Sequence, residues 1–258
     1  NTSVDEIVDT YELNYNEAET LYPASVNFLV FFEAFSFDKI LIPLTSMRHG
    51  MILDLINMLF GEGIDIDFSQ QIIHSAIELG RKYRMDEAHA MHVARLSLSI
   101  FDKLRELHGL KAHDRFLLEV AAILHDVGSF INEAKHHLHS FYLVSNSELI
   151  GLKKNDLDII ANLVKYHRVN KPGLSDESFL LLDSDSRVKV YKLSAILRVA
   201  DALDRSHNQV IDDFDLKING DRLLITPSNK GVYEYEKLAI RDKSDLFDSV
   251  FGLEVVLR

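Results

Sequence analysis

Ala121-Ala122-Ile123-Leu124-His125-Asp126-Val127-Gly128 places an imidazole and a carboxylate side by side at the end of an apolar run. Small and aliphatic residues in unbroken succession read as a helix buried on most of its faces. An unpaired carboxylate taken into such surroundings costs several kcal/mol or more. A bound cation offsets that cost directly, so His125-Asp126 reads as part of a metal site.

Other His and Asp residues on apolar helical stretches extend the pattern. His92 falls in Ala90-Met91-His92-Val93-Ala94-Arg95-Leu96, and Asp201 in Ala195-Ile196-Leu197-Arg198-Val199-Ala200-Asp201-Ala202-Leu203-Asp204-Arg205. The order is His, His-Asp, Asp, each from a different helix, and converging helices in a bundle core can gather such side chains around one ion. Two imidazoles with two carboxylates leave open positions on a six-coordinate metal. That suits Mn²⁺, Mg²⁺, Fe²⁺ or Ni²⁺ better than structural zinc. His136, His137 and His139 in Lys135–Ser140, and His167 at the end of Leu163–His167, are candidates for a second ion bridged by Asp126. Two such ions clamp an attacking water and a phosphoryl oxygen.

Plainer readings stand beside these. A lone histidine on an apolar helix is more often a hydrogen-bonded core residue, and Asp201 can pair with Arg198 or Arg205. His49, His74, His89, His108 and His113 read as surface or capping residues. His207 reads as a dipole contact at a helix end, and His136 and His137 as solvated. Lys165, Arg168 and Arg198 are candidates for holding substrate oxygens, against ordinary ion pairing.

Composition narrows the classes. The 258 residues are 47% hydrophobic, enough for a real core. A formal charge of −12 argues against nucleic acid and anionic membranes as partners. The absence of cysteine excludes disulfides and thiolate zinc sites. No stretch approaches the roughly 20 apolar residues of a membrane span, and the expected location is cytoplasmic. The sequence opens on Asn1 in mid-pattern, and we expect it to be part of a longer product.

Along the chain, Val26–Phe35 reads as a buried helix, Lys39–Leu44 as a short strand and Met51–Phe60 as a helix, followed by a linker at Gly61–Gly63. Six helices are then expected: Gln70–Tyr83, Asp86–Leu107 with Asp86 as N-cap, Asp114–Val127 closed by Gly128, Lys135–Val144, Asn155–Val169 and Arg187–Ser206. Phe214–Ile218, Asn219-Gly220 and Leu223–Thr226 read as a hairpin with a type I′ turn. Ser244–Phe251 reads as a helix and Leu253–Leu257 as a last strand.

The His, His-Asp, Asp order resembles the HD superfamily of metal-dependent phosphohydrolases. Leu124–Gly128, His137–Ser140, Tyr166–Arg168 and Leu197–Asp204, with Ser46–Met51 upstream and the tail from Asp212, are similar to the C-terminal region of the exopolyphosphatase and guanosine pentaphosphate phosphatase (Ppx/GppA) family over about residues 38 to 258. The resemblance implies a mainly α protein. Residues 1–60 would be a remnant of an actin-like α/β domain, 61–209 an HD helical bundle and 210–258 a small α+β domain. His92, His125, Asp126 and Asp201 would match the HD metal ligands, with His139 and His167 at second-metal positions. Asp126, Lys165 and Arg198 would serve the chemistry. In that family polyphosphate is cleaved by N-terminal actin-like domains, whose glycine-rich phosphate loops are not found in this sequence.

Three functions follow as expectations. One is hydrolysis of a phosphoanhydride or phosphoester, in polyphosphate, guanosine pentaphosphate or another nucleotide, with one or two divalent ions. The second is a non-catalytic half that grips a phosphorylated ligand or forms a homodimer. The third is a nucleotide sensor.

Overall fold

The structure is a computed structural model that describes residues 3–11, 13–35, 50–51, 69–147, 149, 151–168, 171–173 and 175–258. The expected strand Lys39–Leu44, the linker at Gly61–Gly63 and the helix after Met51 lie outside them. The chain divides into two compact units, 1–66 and 67–258. In the first, α1 (Val4–Tyr11) packs on α2 (Tyr15–Phe35). The expected helix at Val26–Phe35 is present as the second half of α2, but it is not buried: Phe28, Leu29, Val30, Phe31 and Phe35 are all exposed. Its apolar residues run around the whole helix rather than in a stripe, so packing on α1 covers few of them.

The second unit is a helical bundle with a small sheet. Its elements are α3 (Ser69–Lys82), α4 (Glu87–Lys103), the short α5 (Arg105–His108), α6 (Ala112–Leu124), α7 (His136–Ser145), α8 (Lys154–Tyr166), the short α9 (Glu177–Leu180) and α10 (Ser184–Ala202). After them come β1 (Phe214–Asn219), β2 (Arg222–Pro227), α11 (Glu234–Lys243), α12 (Asp245–Phe251) and β3 (Glu254–Leu257). The protein is thus mainly α with a small α+β part, as its sequence implies.

Each boundary has a local cause. Asp86 caps α4, its carboxylate accepting from the His89 amide at 3.1 Å. The long helix expected to run to Leu107 breaks at Leu104, after which α5 ends on the left-handed Gly109. Asp183 caps α10 through the Ser186 amide at 2.7 Å. From Leu193 to Ala202 every residue of α10 is buried. Such a helix belongs at the centre of its unit, and α4, α6, α8, α11 and α12 all pack against it.

The sheet has the order β1-β2-β3. β1 and β2 are antiparallel, with Asn219 opposite Arg222, and β3 runs parallel to β2 with Leu223 opposite Val255 and Ile225 opposite Leu257. The hairpin stands where expected, but its turn differs. Gly220 and Asp221 are the central residues and only Gly220 has a positive φ, 62°, whereas a type I′ turn needs both. The crossover from β2 to β3 carries α11 and α12. The sequence reading missed α11, because Glu234–Lys243 is mostly polar and buries only Glu236, Ala239 and Ile240.

Candidate metal centre

The His-Asp dyad sits just beyond the end of α6. Helix α6 starts with the Lys111 amide donating to Asp114 at 2.8 Å and stops at Leu124. Asp126 then leaves helical geometry, with φ −107° and ψ 7°, and a 3₁₀ turn spans Val127–Phe130. Gly128, expected as a helix stop, lies inside that turn and has a different task. A Cβ there would run into the backbone of His136 and Ser140. The Gly128 amide donates to Ser140 Oγ at 2.8 Å. The missing side chain therefore lets the first turn of α7 press directly against the dyad.

Four imidazoles converge on two carboxylates. On one side, His125 Nε2 lies 3.6 Å from Asp126 Oδ2 and 4.0 Å from Asp201 Oδ1, and His89 Nε2 lies 3.9 Å and 3.7 Å from the same two atoms. On the other, His136 Nε2 and His167 Nε2 lie 3.1 Å and 3.3 Å from Asp126 Oδ1. Asp126 thus turns one oxygen to each histidine pair. Ligating atoms of His89, His125 and Asp201 lie within 4.8 Å of one another, as do those of His125, Asp126 and His167, and those of His89, Asp126 and His207.

The outer nitrogens fix which atoms face inward. Nδ1 of His125 lies 2.7 Å from the Ala122 carbonyl, that of His136 2.9 Å from the Glu133 carbonyl, and that of His167 2.7 Å from the Val164 carbonyl. A carbonyl only accepts, so each Nδ1 carries a proton, and Nε2 is the atom that would turn a lone pair inward in the ligating ring. His89 achieves the same by donating from Nδ1 to Asp204 Oδ2 at 2.8 Å. Asp204 is itself fixed by the amide and side-chain N–H of Gln209, at 2.8 and 3.2 Å. His136 Nε2 and His167 Nε2 are only 3.1 Å apart. Two lone pairs at that distance repel unless a cation or proton lies between them. His89 Nε2, His125 Nε2 and Asp126 Oδ1 are buried with no hydrogen-bond partner. Unsatisfied inward acceptors with outer nitrogens tied to carbonyls and a carboxylate are the arrangement that a divalent ion with N and O ligands requires.

Burial by itself would push the Asp126 carboxyl up, but positive charge on the His125, His167 and His136 rings outweighs burial and holds it well below the usual range; with those rings neutral, a bound cation would supply that charge instead. Burial is likewise outweighed at Asp201, chiefly by the Lys243 ammonium seated on its Oδ2 and then by His125 and His167. Burial pushes His167 down despite the opposing pull of Asp126, which favours the neutral, ligating ring.

The sequence-expected set is brought together in part. His125, Asp126, Asp201 and His167 meet. His92 does not: its Nδ1 accepts from Arg95 at 2.8 Å, Arg95 pairs with Asp212 at 2.7 Å, and His89, one turn earlier on α4, takes the inward place. Residues three apart differ by only about 60° around a helix, so the apolar pattern alone did not choose between them. His139 stands outside the cluster, and His136, three residues before it on α7, fills the position. Lys165 is turned onto Asp176, 2.6 Å away, and lines a separate cavity of about 420 Å³. Arg198 donates to the Tyr166 carbonyl at 2.7 Å and to Asp245 at 2.8 Å. Lys165 thus ties α8 to the start of α9, and Arg198 ties α10 to α8 and α12 while its charge also acts on Asp201. Lys243 was missed because it ends α11, the helix that the sequence reading did not find. His207 was read as a helix-end contact, yet its ring stacks on His89 at 3.7 Å and 12°.

Comparison with known proteins adds a lineage to this geometry. A family described as "Ppx/GppA phosphatase, domain III" matches residues 71–243. A protein named guanosine-5'-triphosphate,3'-diphosphate pyrophosphatase from Photobacterium profundum is 22% identical over 212 residues, covering 81% of this chain and 40% of its own. One of the same name from Pseudoalteromonas translucida is 25% identical over 213 residues, covering 82% and 41%. A third, from Pseudoalteromonas atlantica, is 26% identical over 201 residues, covering 77% and 38%. The chain thus spans about two fifths of the length of the curated relatives it matches.

Proposed function

This chain belongs to the Ppx/GppA phosphatase family, and from that premise we propose that its helical unit is an HD-type, metal-dependent phosphohydrolase centre acting on a phosphoanhydride or phosphoester. The observation that carries the reading is the set of four inward Nε2 atoms around Asp126 and Asp201, each with its Nδ1 tied down. His89, His125, Asp201 and Asp126 Oδ2 would hold one ion; His136, His167 and Asp126 Oδ1 would hold a second. Divalent ions bound there supply Lewis acidity to a phosphoryl oxygen and acidify a water. The residues' own part is orientation. Asp126 offers one oxygen to each side, and Asp204 and three backbone carbonyls keep the rings in the ligating tautomer.

The test joins elemental analysis with assay. Purified chain loaded with Mn²⁺ should retain the metal, and His125→Ala should lose it. Hydrolysis of nucleotides, pyrophosphate or an aryl phosphate should depend on Asp126. Equal rates for wild type and Asp126→Ala on every substrate, or equal metal content in wild type and His125→Ala, would sink the proposal.

A second reading rests on the chain spanning two fifths of its relatives. In it the unit grips a phosphorylated ligand, or pairs with a second copy, on behalf of a catalytic part elsewhere. It expects metal binding without turnover, and light scattering at twice the chain mass.

A further inference from the structure

We infer that the cavity opening onto Asp126 is a binding site for the nucleoside part of a nucleotide. The base would rest on Tyr83 and Phe130, and Arg84 would hold a phosphate oxygen. This rests on the phosphohydrolase reading for the phosphate position alone. The cavity is about 320 Å³, at the small end of ligand sites and large enough for one nucleoside unit. Asp126 forms part of its wall, with Arg84, Tyr83, Phe130, Ser129 and His207 around it. A phosphate at the metal centre is therefore at the mouth of this space.

Three observations select the ligand class. First, Tyr83 and Phe130 meet edge to face, with ring centroids 5.8 Å apart at 62°, yet Phe130 remains 54% exposed. An aromatic ledge left uncovered beside a polar centre suits a flat ring, and base–aromatic stacking is sequence-tolerant and strong. Second, Arg84 makes no ion pair with any described residue, and its backbone is left-handed with φ 51°. The three non-glycine residues of positive φ among the described residues all serve this place. Arg84 and His207 line the cavity, and Gln209 holds Asp204, which holds His89. Arg84 is also the left-handed cap of α3, and the gathering of all three at one spot beside the cavity supports a functional site there. Third, Asp86 and Glu133 also border the cavity. Asp86 is engaged by His207 at 3.0 Å, while the Glu133 carboxylate pairs with no described residue and can accept from a base N–H. Carboxylates repel a chain of phosphates, so a single phosphate with a base attached fits where inorganic polyphosphate does not.

Calorimetry of the full chain with Mn²⁺ present tests this, using AMP and GMP as probes and ribose 5-phosphate and tripolyphosphate as controls. At least one nucleotide should bind roughly fivefold or more tighter than ribose 5-phosphate. Phe130→Ala should erase that preference while leaving ribose 5-phosphate affinity in place. Arg84→Gly should weaken both without lowering the thermal midpoint. Equal affinity for nucleotides and ribose 5-phosphate, tighter tripolyphosphate binding than nucleotide binding, no binding at all, or a preference surviving Phe130→Ala would each overturn the inference. Base preference without turnover removes the hydrolase reading and keeps the pocket; turnover without base preference removes the pocket alone.

Discussion

His89 Nδ1 donates to Asp204 Oδ2 across 2.8 Å, joining α4 to the residues just past α10 through a carboxylate with no solvent exposure. The pair sets the tautomer of a ring whose other nitrogen faces Asp126 and Asp201. Asp204→Asn keeps the shape but can turn an N–H toward His89 in place of an acceptor. We expect Mn²⁺ affinity to fall roughly 10- to 100-fold, measured by competition with a chelating dye. Unchanged affinity would separate Asp204 from the metal centre.

The choice between His89 and His92 is open to a direct comparison. His89→Ala should remove stoichiometric metal. His92→Ala should keep it and lose only local packing against Arg95. Elemental analysis of the two variants beside wild type decides, and metal loss in His92→Ala alone would reverse the assignment.

Gly128→Ala puts a methyl group into the backbone of His136 and Ser140, which cannot swing aside as a side chain could. A forced shift of this kind costs about 1–3 kcal/mol or more. For a unit of this size the melting temperature should fall by roughly 2–12 °C. His136 would also retreat from Asp126, so the second ion should be lost before the first in a metal titration. A variant that melts with wild type would show that α7 can move away freely.

Asp176 accepts from Lys165, Tyr166 and Ser178. Burial opposes ionisation, but these partners outweigh it and bring the carboxyl down to about 2. A carboxyl depressed in the fold contributes stability that is complete above its unfolded pKa near 3.9. That contribution disappears as pH falls from there through about 2. With solvent screening it amounts to about 1–2 kcal/mol. Urea midpoints at pH 7 should drop in Asp176→Asn, and the gap to wild type should close by pH 2. A gap that persists at low pH would assign the loss to packing.

Arg84 occupies the left-handed position that ends α3, with the Met85 amide on the Gly80 carbonyl at 3.0 Å and its own amide on the Arg81 carbonyl at 2.9 Å. This is the Schellman geometry, which favours glycine. Arg84→Gly should raise stability by roughly 1 kcal/mol, read by chemical denaturation. A loss instead would mean that the arginine side chain makes a stabilising contact.

Much of this was legible from residue pattern. The His125-Asp126 dyad at the end of a buried helix, the apolar run of α10 and the Asp86 cap all announce themselves, because burial and capping act through near neighbours in sequence. What the pattern left open is rotational and long-range. His89 and His92 are both buried on α4, and only packing against Asp204 and Asp201 decides which faces the cluster. His136 and His139 pose the same question on α7, settled by the close approach at Gly128. The ties of Arg198 reach Tyr166 on α8, 32 residues earlier, and Asp245 on α12, 47 residues further on, and no periodicity carries that information.

The ammonium of Lys243 rests on Asp201, although the lysine belongs to α11 and supplies no ligand. Lys243 takes Oδ2 while His89 and His125 face Oδ1, so a single carboxylate would be shared by an internal monocation from the tail and a divalent guest. Occupancy of the centre would thereby be reported at a distance: amide exchange along 234–243 should quicken if Mn²⁺ enters, turning the last helices into a gauge of whether the core is filled.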